Sequence, residues 1–528
     1  MAELSGDLAK RTLDKDLDKL VHVEEATSFV ARGLVAPGLA LLFLAISAVV
    51  ASFYVFGEPG AVVIVAAAAI GAYMALNIGA NDVANNVGPA VGARAMTIMG
   101  ALVIAAVFET AGALIGGADV VNTISRGIVH PDSVGSPSIF INAMLAALIS
   151  AALWLNLATW LGAPVSTTHS IVGGVMGAGI AAAGFAAVNW PTMSGIAASW
   201  VISPVLGGIV AALFLAFIKE FIIYREDKIA AARRWVPVLI AIMSGSFAAY
   251  LAVKGLSRVI ELSAVGLTGL GVATFLGAWL LSHLHVRRIS AGMENRNQSL
   301  RALFRAPLIC SAALLSFAHG ANDVANAVGP LAAIVFTAQA GAVVTEVSIP
   351  LWVMLIGAVG ISVGLVLFGP KLIHMVGEQI TRLNPMRAFC VALSAALTVI
   401  VASWFGLPVS STHIAVGAVF GVGFFREWYT ANSSRRRAYM EAKATRQREL
   451  RRTNGIAPAL IEDDEEPPLE IDGLPLGDAP ATAESTEIAR RKLVRRAHFT
   501  TIVAAWVITV PASALLSALV FLALEALS

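Results

Sequence analysis

The chain alternates long hydrophobic runs, poor in charge, with a few polar segments. A helix that crosses a bilayer needs roughly 20 apolar residues. Runs of this kind are predicted at 34–56, 60–78, 97–117, 138–161, 163–185, 194–218, 236–254, 262–281, 306–319, 349–369, 386–405, 407–425 and 498–526. The stretches 79–92 and 320–337 are apolar too, but they carry Gly, Asn and Pro and read as continuations or broken halves of the runs before them. Backbone polar groups in lipid must be satisfied internally, so the pattern predicts an all-α polytopic membrane protein.

Four polar segments punctuate the runs. Residues 1–33 are of mixed charge, and the first run starts too late for a cleavable secretory signal. Residues 219–234 carry Lys219, Arg225, Lys228, Arg233 and Arg234, and residues 283–305 carry Arg287, Arg288, Arg296, Arg301 and Arg305. The segment 426–497 opens on Arg426 and Arg435–Arg437, turns acidic over Glu462–Glu466 and ends on Arg490 and Arg491. Its Pro- and acid-rich middle cannot bury enough apolar surface to fold alone, which predicts a disordered loop. Basic loops stay cytoplasmic, and an even number of runs separates the three internal ones, so one side suits them all.

Composition sharpens the class. Charged residues make up 13% of the 528 residues and hydrophobic ones 58%, against about 25% charged in soluble domains. The formal net charge of +2 suggests no nucleic-acid partner. The two cysteines, Cys310 and Cys390, lie in apolar runs and read as packing residues, with neither a disulfide framework nor a metal cluster of the usual kind.

An internal repeat carries the chemistry. Gly79-Ala80-Asn81-Asp82-Val83-Ala84-Asn85-Asn86-Val87-Gly88-Pro89 recurs from Gly320 to Pro330 with ten of eleven positions identical. Pro164-Val165-Ser166-Thr167-Thr168-His169 recurs as Pro408-Val409-Ser410-Ser411-Thr412-His413. The offsets are 241 residues (Gly79 to Gly320) and 244 (Pro164 to Pro408), so the two motifs travel together as a duplicated unit. Five runs per unit would leave the copies oppositely oriented, as inverted repeats whose broken helices or hairpins meet at a midplane site.

A charge at the bilayer centre costs at least ~2.5–3.5 kcal/mol on insertion scales, so intramembrane acids are functional by default. Asp82 sits beside Asn81 and Asn85 on one helical stripe, and Asp323 beside Asn322 and Asn326 on another. Carboxylate and amide oxygens of this kind suit hard cations. Glu109, inside its own run, joins the candidate cation ligands; the matching stretch 361–369 of the second copy is apolar. Pro164 and Pro408 mark helix starts or breaks. A helix start offers free N–H groups to an anion, and Ser166, Thr167, Thr168, Ser410, Ser411 and Thr412 add hydroxyl donors. Beside that use, a serine or threonine in a membrane helix often bonds its own backbone. His169 and His413 read first as satisfied interior residues.

The paired GANDVAN and PVSxTH motifs resemble the inorganic phosphate transporter (PiT) family over about residues 70–425 and the final run, as do Phe108-Glu109-Thr110-Ala111-Gly112 and Gly127-Ile128. The resemblance implies a secondary transporter, not an enzyme, that imports inorganic phosphate by symport with a coupling cation, Na+ or H+, or as metal–phosphate, without a cofactor. It puts Asn81, Asp82, Asn85, Asn322, Asp323 and Asn326 at the ion and phosphate site and the six Ser/Thr residues on phosphate. Where animal members often carry a glutamate before each PVSxTH motif, this chain has Met144 and Ala392. The resulting partition is a cytoplasmic segment 1–33, an extra span 34–56, a first repeat 57–218, linking spans and basic loops 219–305, a second repeat 306–425, a cytoplasmic loop 426–497 and a last span 498–528. The expected setting is a bacterial plasma (inner) membrane, with the lipid bilayer as partner and self-association compatible. Two other functions compete: transport of another oxyanion such as sulfate, and an intramembrane aspartyl protease using the two aspartates as a dyad.

Overall fold

The computed structural model describes residues 34–130, 133–161, 165–255, 263–343, 349–379, 383–438, 445 and 496–527. The predictions for 1–33, for Pro164 and for most of the loop 426–497 lie outside the described residues. Among the described residues the chain is helical, apart from turns and one antiparallel bridge between Val129 and Val188.

In chain order the helices are α1 (Leu34–Tyr54), α2 (Ala61–Gly92), α3 (Ile98–Gly116), α4 (Ala118–Asn122), α5 (Pro137–Leu161), α6 (Thr167–Ala183), α7 (Trp190–Ile218) and α8 (Lys228–Lys254). They continue as α9 (Ala264–Ile289), α10 (Asn297–Leu303), α11 (Arg305–Asp323), α12 (Ala325–Ala340), α13 (Leu351–Gln379), α14 (Pro385–Trp404), α15 (Ser411–Asn432) and α16 (Arg496–Leu527). A π-helical turn, Thr123–Gly127, follows α4. Helix starts are set locally. Thr97, Asn189, Asp227, Ser263 and Asn384 each accept a hydrogen bond from a backbone N–H three residues on, with Pro191 and Pro385 in the first turns of α7 and α14.

Eleven helices among the described residues are long and apolar enough to cross a membrane. The two predicted runs not among them are 163–185 and 407–425. The first shortens to the 17 residues of α6 because Ser166 caps its start. The second becomes α15, which begins at Ser411 and runs on into the polar stretch around Arg426 and Glu427. The motif stretches divide in behaviour. Residues 79–92 continue α2 without a break, giving 32 residues or about 48 Å of helix. In the second copy the helix is interrupted at Val324, between α11 and α12.

The packing is reciprocal between the copies. The motif helix α2 packs most extensively on α13, and its counterpart α11 on α3. Glycines show the register. An added Cβ at Gly79 would meet the carbonyl oxygen of Ile361, and one at Gly320 that of Glu109; Gly364 abuts Leu76, and Gly112 abuts Phe317. Likewise α6 lies on α16 through Gly173 and Gly177, against Val510 and Ala514, while α15 lies on α7 through Gly417 and Gly421, against Pro204 and Gly208. Small residues let membrane helices approach this closely. If i of one copy meets j of the other and the counterparts meet in return, a two-fold relates the copies. Helices α8 and α9 pair with each other, and α9 and α1 leave most of their surface open.

Candidate functional site

Two helical hairpins meet two motif helices at the centre. Helices α5 and α6 pack together, as do α14 and α15, so the first PVSxTH segment from Val165 on and the whole of the second stand at the hairpin tips. Hydrogen bonds tie each tip to its own copy's motif helix. Asn81 Nδ2 donates to the Val165 carbonyl at 3.0 Å, and Asn322 Nδ2 donates to the Leu407 carbonyl at 3.1 Å. Further bonds cross between copies: Asn85 Nδ2 donates to Thr412 Oγ1 at 2.8 Å, and Asn326 Nδ2 donates to Thr168 Oγ1 at 3.2 Å. The second tip is also strapped from outside, since Thr123 donates to the Gly406 carbonyl and Lys254, paired with Asp119 at 2.5 Å, donates to the Trp404 carbonyl.

Asp82 and Asp323 are fully buried in this centre. Asp82 accepts from Asn81 at 2.8 Å, Thr412 at 2.9 Å and Thr167 at 2.9 Å. Asp323 accepts from Ser411 at 3.2 Å and from Thr167 at 3.4 Å, so the Thr167 hydroxyl lies between the two carboxylates. Ser166 and Ser410 are placed differently. Their hydroxyls accept from the backbone N–H of His169 and His413 and cap α6 and α15, which aims both helix starts at the carboxylates. Thr168 donates to the Val409 carbonyl, tying the first tip to the second. His169 and His413 lie just behind, buried, with ring centroids 4.3 Å apart and Trp200 over His169.

Sequence reasoning did not single out His319 or Asn86, and both belong to the site. His319 is fully buried, with Nε2 3.0 Å from Asp323 and 3.7 Å from Asp82, and Nδ1 3.3 Å from Glu109. Asn86 donates to Glu109 at 2.7 Å. The group Asn86–Glu109–His319 thus forms one polar chain leading to the aspartates. The reciprocal contacts assign its counterparts as Ala327, Ile361 and Ile78, all buried and apolar. The signal was present in the sequence: Asn86/Ala327 is the one mismatch in the repeated motif, and His319 directly precedes its second copy.

Several acceptor oxygens here are buried without a hydrogen-bond donor among the described residues: Asp323 Oδ1, Asn326 Oδ1, Asn86 Oδ1 and Glu109 Oε2. A buried acceptor left unpaired costs about 1–3 kcal/mol, and a cation is what such oxygens would satisfy. Ligand atoms of Asp82, His319 and Asp323 also lie within 4.8 Å of one another, close enough to share one metal ion.

Comparison with known proteins gives the family of the chain. The profile of the phosphate transporter family matches residues 78–517, which includes both copies of both motifs. A protein of Helicobacter pylori named "Putative phosphate permease" is 47% identical over 525 residues, covering 96% of this chain and 98% of its own length. One from Thermococcus kodakarensis, named likewise, is 39% identical over 357 residues and covers 68% of this chain and 87% of its own. The extra length around the repeats is therefore shared with the Helicobacter relative. A solved structure described as "The sodium-dependent phosphate transporter" superposes with a TM-score of 0.73 at 34% identity, over 88% of this chain and all of its own. The family and this neighbour are transporters, not enzymes, which removes the protease reading of the aspartates. With repeat, motifs and centre all accounted for, the chain is a multi-pass membrane protein that belongs to the phosphate transporter family.

Proposed function

We propose that the chain is a secondary active importer of inorganic phosphate, driven by symport with sodium at the centre between Asp82 and Asp323. The observation that carries this reading is the set of buried oxygens without donors around the two aspartates. Phosphate is an anion, and at ~4 Å with an effective dielectric near 20 each carboxylate would repel it by about 4 kcal/mol. Cations between them offset that repulsion, so co-binding is a physical requirement of the site. Sodium fits the preponderance of oxygen ligands, and the solved relative is described as sodium-dependent. The hydroxyls of Thr167, Thr168, Ser411 and Thr412 and the first-turn N–H groups of α6 and α15 would then donate to phosphate. With the two copies inverted across the membrane, rocking of one against the other would alternate access to the shared site. A bacterial plasma (inner) membrane is the setting, in line with the Helicobacter relative.

The test is uptake of labelled phosphate into proteoliposomes under an inward sodium gradient. Accumulation should require sodium and vanish when choline replaces it at fixed pH. Undiminished uptake in choline rejects sodium, and no uptake under either a sodium or a proton gradient rejects the transport reading. One observation favours a second reading of the cargo: His319 with Asp82 and Asp323 forms a nitrogen-and-oxygen ligand set suited to a divalent metal. Metal–phosphate as cargo would show as labelled zinc or manganese entering in step with phosphate.

A further inference from the structure

The second hairpin tip leaves the helix after Trp404 and re-enters it at Ser411. Non-helical backbone at this depth must find its hydrogen-bond donors within the protein. Side chains from five different elements supply them. Lys254, Thr123, Asn322, Trp200 and Thr168 donate in turn to the carbonyls of Trp404, Gly406, Leu407, Pro408 and Val409. Asn322 and Thr168 belong to the duplicated motifs, and Lys254 and Thr123 strap the tip from outside. Trp200 reaches both tips. Its indole Nε1 donates to the buried Pro408 carbonyl of the second at 3.0 Å, and its ring lies on His169 of the first, with centroids 3.8 Å apart. His169 in turn meets His413 of the second tip at 4.3 Å.

We propose that Trp200 is a positioning residue of the transport site, holding the two hairpin tips in the register at which Thr167, Thr168, Ser411 and Thr412 face one ligand. The proposal rests on the phosphate-import reading. Geometry is its first support. Trp200 stands ten residues into α7, about 15 Å from the helix start. A tryptophan that only anchors a helix in the bilayer sits at headgroup level, whereas this one turns its N–H inward onto a buried carbonyl. His169 directly follows Thr168, and His413 directly follows Thr412. The ring contacts are therefore rooted in the same first helical turns as the hydroxyls, and a shift of the rings shifts the donors. The second support is independent and lies in the sequence. Trp200-Val201-Ile202-Ser203 recurs as Trp506-Val507-Ile508-Thr509. The two stretches occupy matching places on α7 and α16. Trp200 stands four residues before Pro204, which abuts Gly417, and Trp506 stands four before Val510, which abuts Gly173. Trp200 thus belongs to the duplicated unit, as the motif residues do, while Lys254 lies on a linking span.

The test has two arms. In phosphate uptake, Trp200→Phe keeps a ring over His169 and removes the N–H donor. It should raise the apparent KM about tenfold and leave the maximal rate within about twofold. Trp200→Leu removes ring and donor together and should raise KM further, whereas Trp279→Phe on α9, outside both repeats, should leave KM near wild type. A tryptophan that served stability alone would lower the amount of folded transporter, and with it the maximal rate, at unchanged KM. The second arm does not use transport. With Cys310 and Cys390 replaced by serine, Val409→Cys places a buried thiol in the second tip. Trp200→Phe should speed the reaction of that thiol with a thiosulfonate by about tenfold, as a local opening would. Native Cys390, buried in α14, reads general loosening instead, and in the Cys310→Ser protein it should react slowly with or without Trp200→Phe. The proposal is overturned if Trp200→Phe leaves KM unchanged, if Val409→Cys reacts no faster, or if Cys390 is speeded equally. Failure of wild-type uptake alone would instead count against phosphate import, and the labelling arm would still decide whether Trp200 holds the tip.

Discussion

At the scale of single residues, the centre is governed by what each buried oxygen can accept or donate. Ionised carboxylates accept hydrogen bonds and cannot donate them. Phosphate keeps at least one proton at neutral pH and sulfate none, so Asp82 or Asp323 can accept from phosphate where sulfate would present a bare oxygen. A site built on one such bond can reject an analogue lacking it by about 10⁴. A tenfold excess of sulfate is therefore expected to leave phosphate uptake almost untouched, which a competition assay reads directly. Asp82→Asn and Asp323→Asn should each reduce cation-dependent uptake severely, because the amide keeps the shape and removes the charge. Normal uptake in both variants would end this assignment. His319 makes a different case. Its ring lies against Asp323 and Glu109, so His319→Ile, copying Ile78 of the other half, sets an alkyl chain against two buried carboxyl groups. An apolar neighbour disfavours a buried carboxylate, so uptake should fall by about tenfold or more. The same change with Glu109→Ile and Asn86→Ala would imitate the apolar half, and the triple variant should still insert in the membrane, as protease protection reads, while uptake stays low.

Helices meet through glycine at positions where backbone touches backbone. At Gly79 and Gly320 a methyl group would collide with the carbonyls of Ile361 and Glu109, neither of which can rotate away. Overpacking costs typically 1–3 kcal/mol, and a rigid backbone on the far side puts these positions at the upper end or beyond. Gly79→Ala and Gly320→Ala should lower the thermal midpoint in detergent by several degrees. Gly195→Ala on α7 meets nothing within 4 Å and should not. Equal midpoints across the three would contradict the packing described. The hairpins depend on their caps in the same local way. Ser410→Ala leaves the His413 N–H without its acceptor at a buried helix start, a loss of about 1 kcal/mol.

Over the whole molecule, the two copies exchange partners: each motif helix and each hairpin leans on the other copy. Hydrogen bonds follow the same exchange, from Asn85 to Thr412 and from Asn326 to Thr168. Neither half can hold its side of the centre alone, so damage to one copy should be felt in both. Asn85→Ala and Asn326→Ala are expected to impair uptake to a similar degree, and the double variant should lose less than the sum of the two, because both loosen one shared joint. Additive losses, measured as ratios of uptake rate, would show two independent joints instead.

How much of this was legible beforehand follows from the range of each interaction. The membrane class, the duplication and the residues of the two motifs could be read directly, because apolar runs, Asn-flanked aspartates and Pro-Ser-Thr turns are local in sequence. Eleven of the predicted runs appear as helices of crossing length for the same reason. Contacts between residues far apart in the chain could not be read. That Thr167 lies between Asp82 and Asp323, and that Ser166 and Ser410 serve as caps, depend on how the hairpin tips seat against the motif helices. His319 and Asn86 were overlooked because each alone is an ordinary polar residue in an apolar run. Only the packing of α2 and α11 on α3 brings them to Glu109 and makes one face of a duplicated centre polar where its counterpart is apolar.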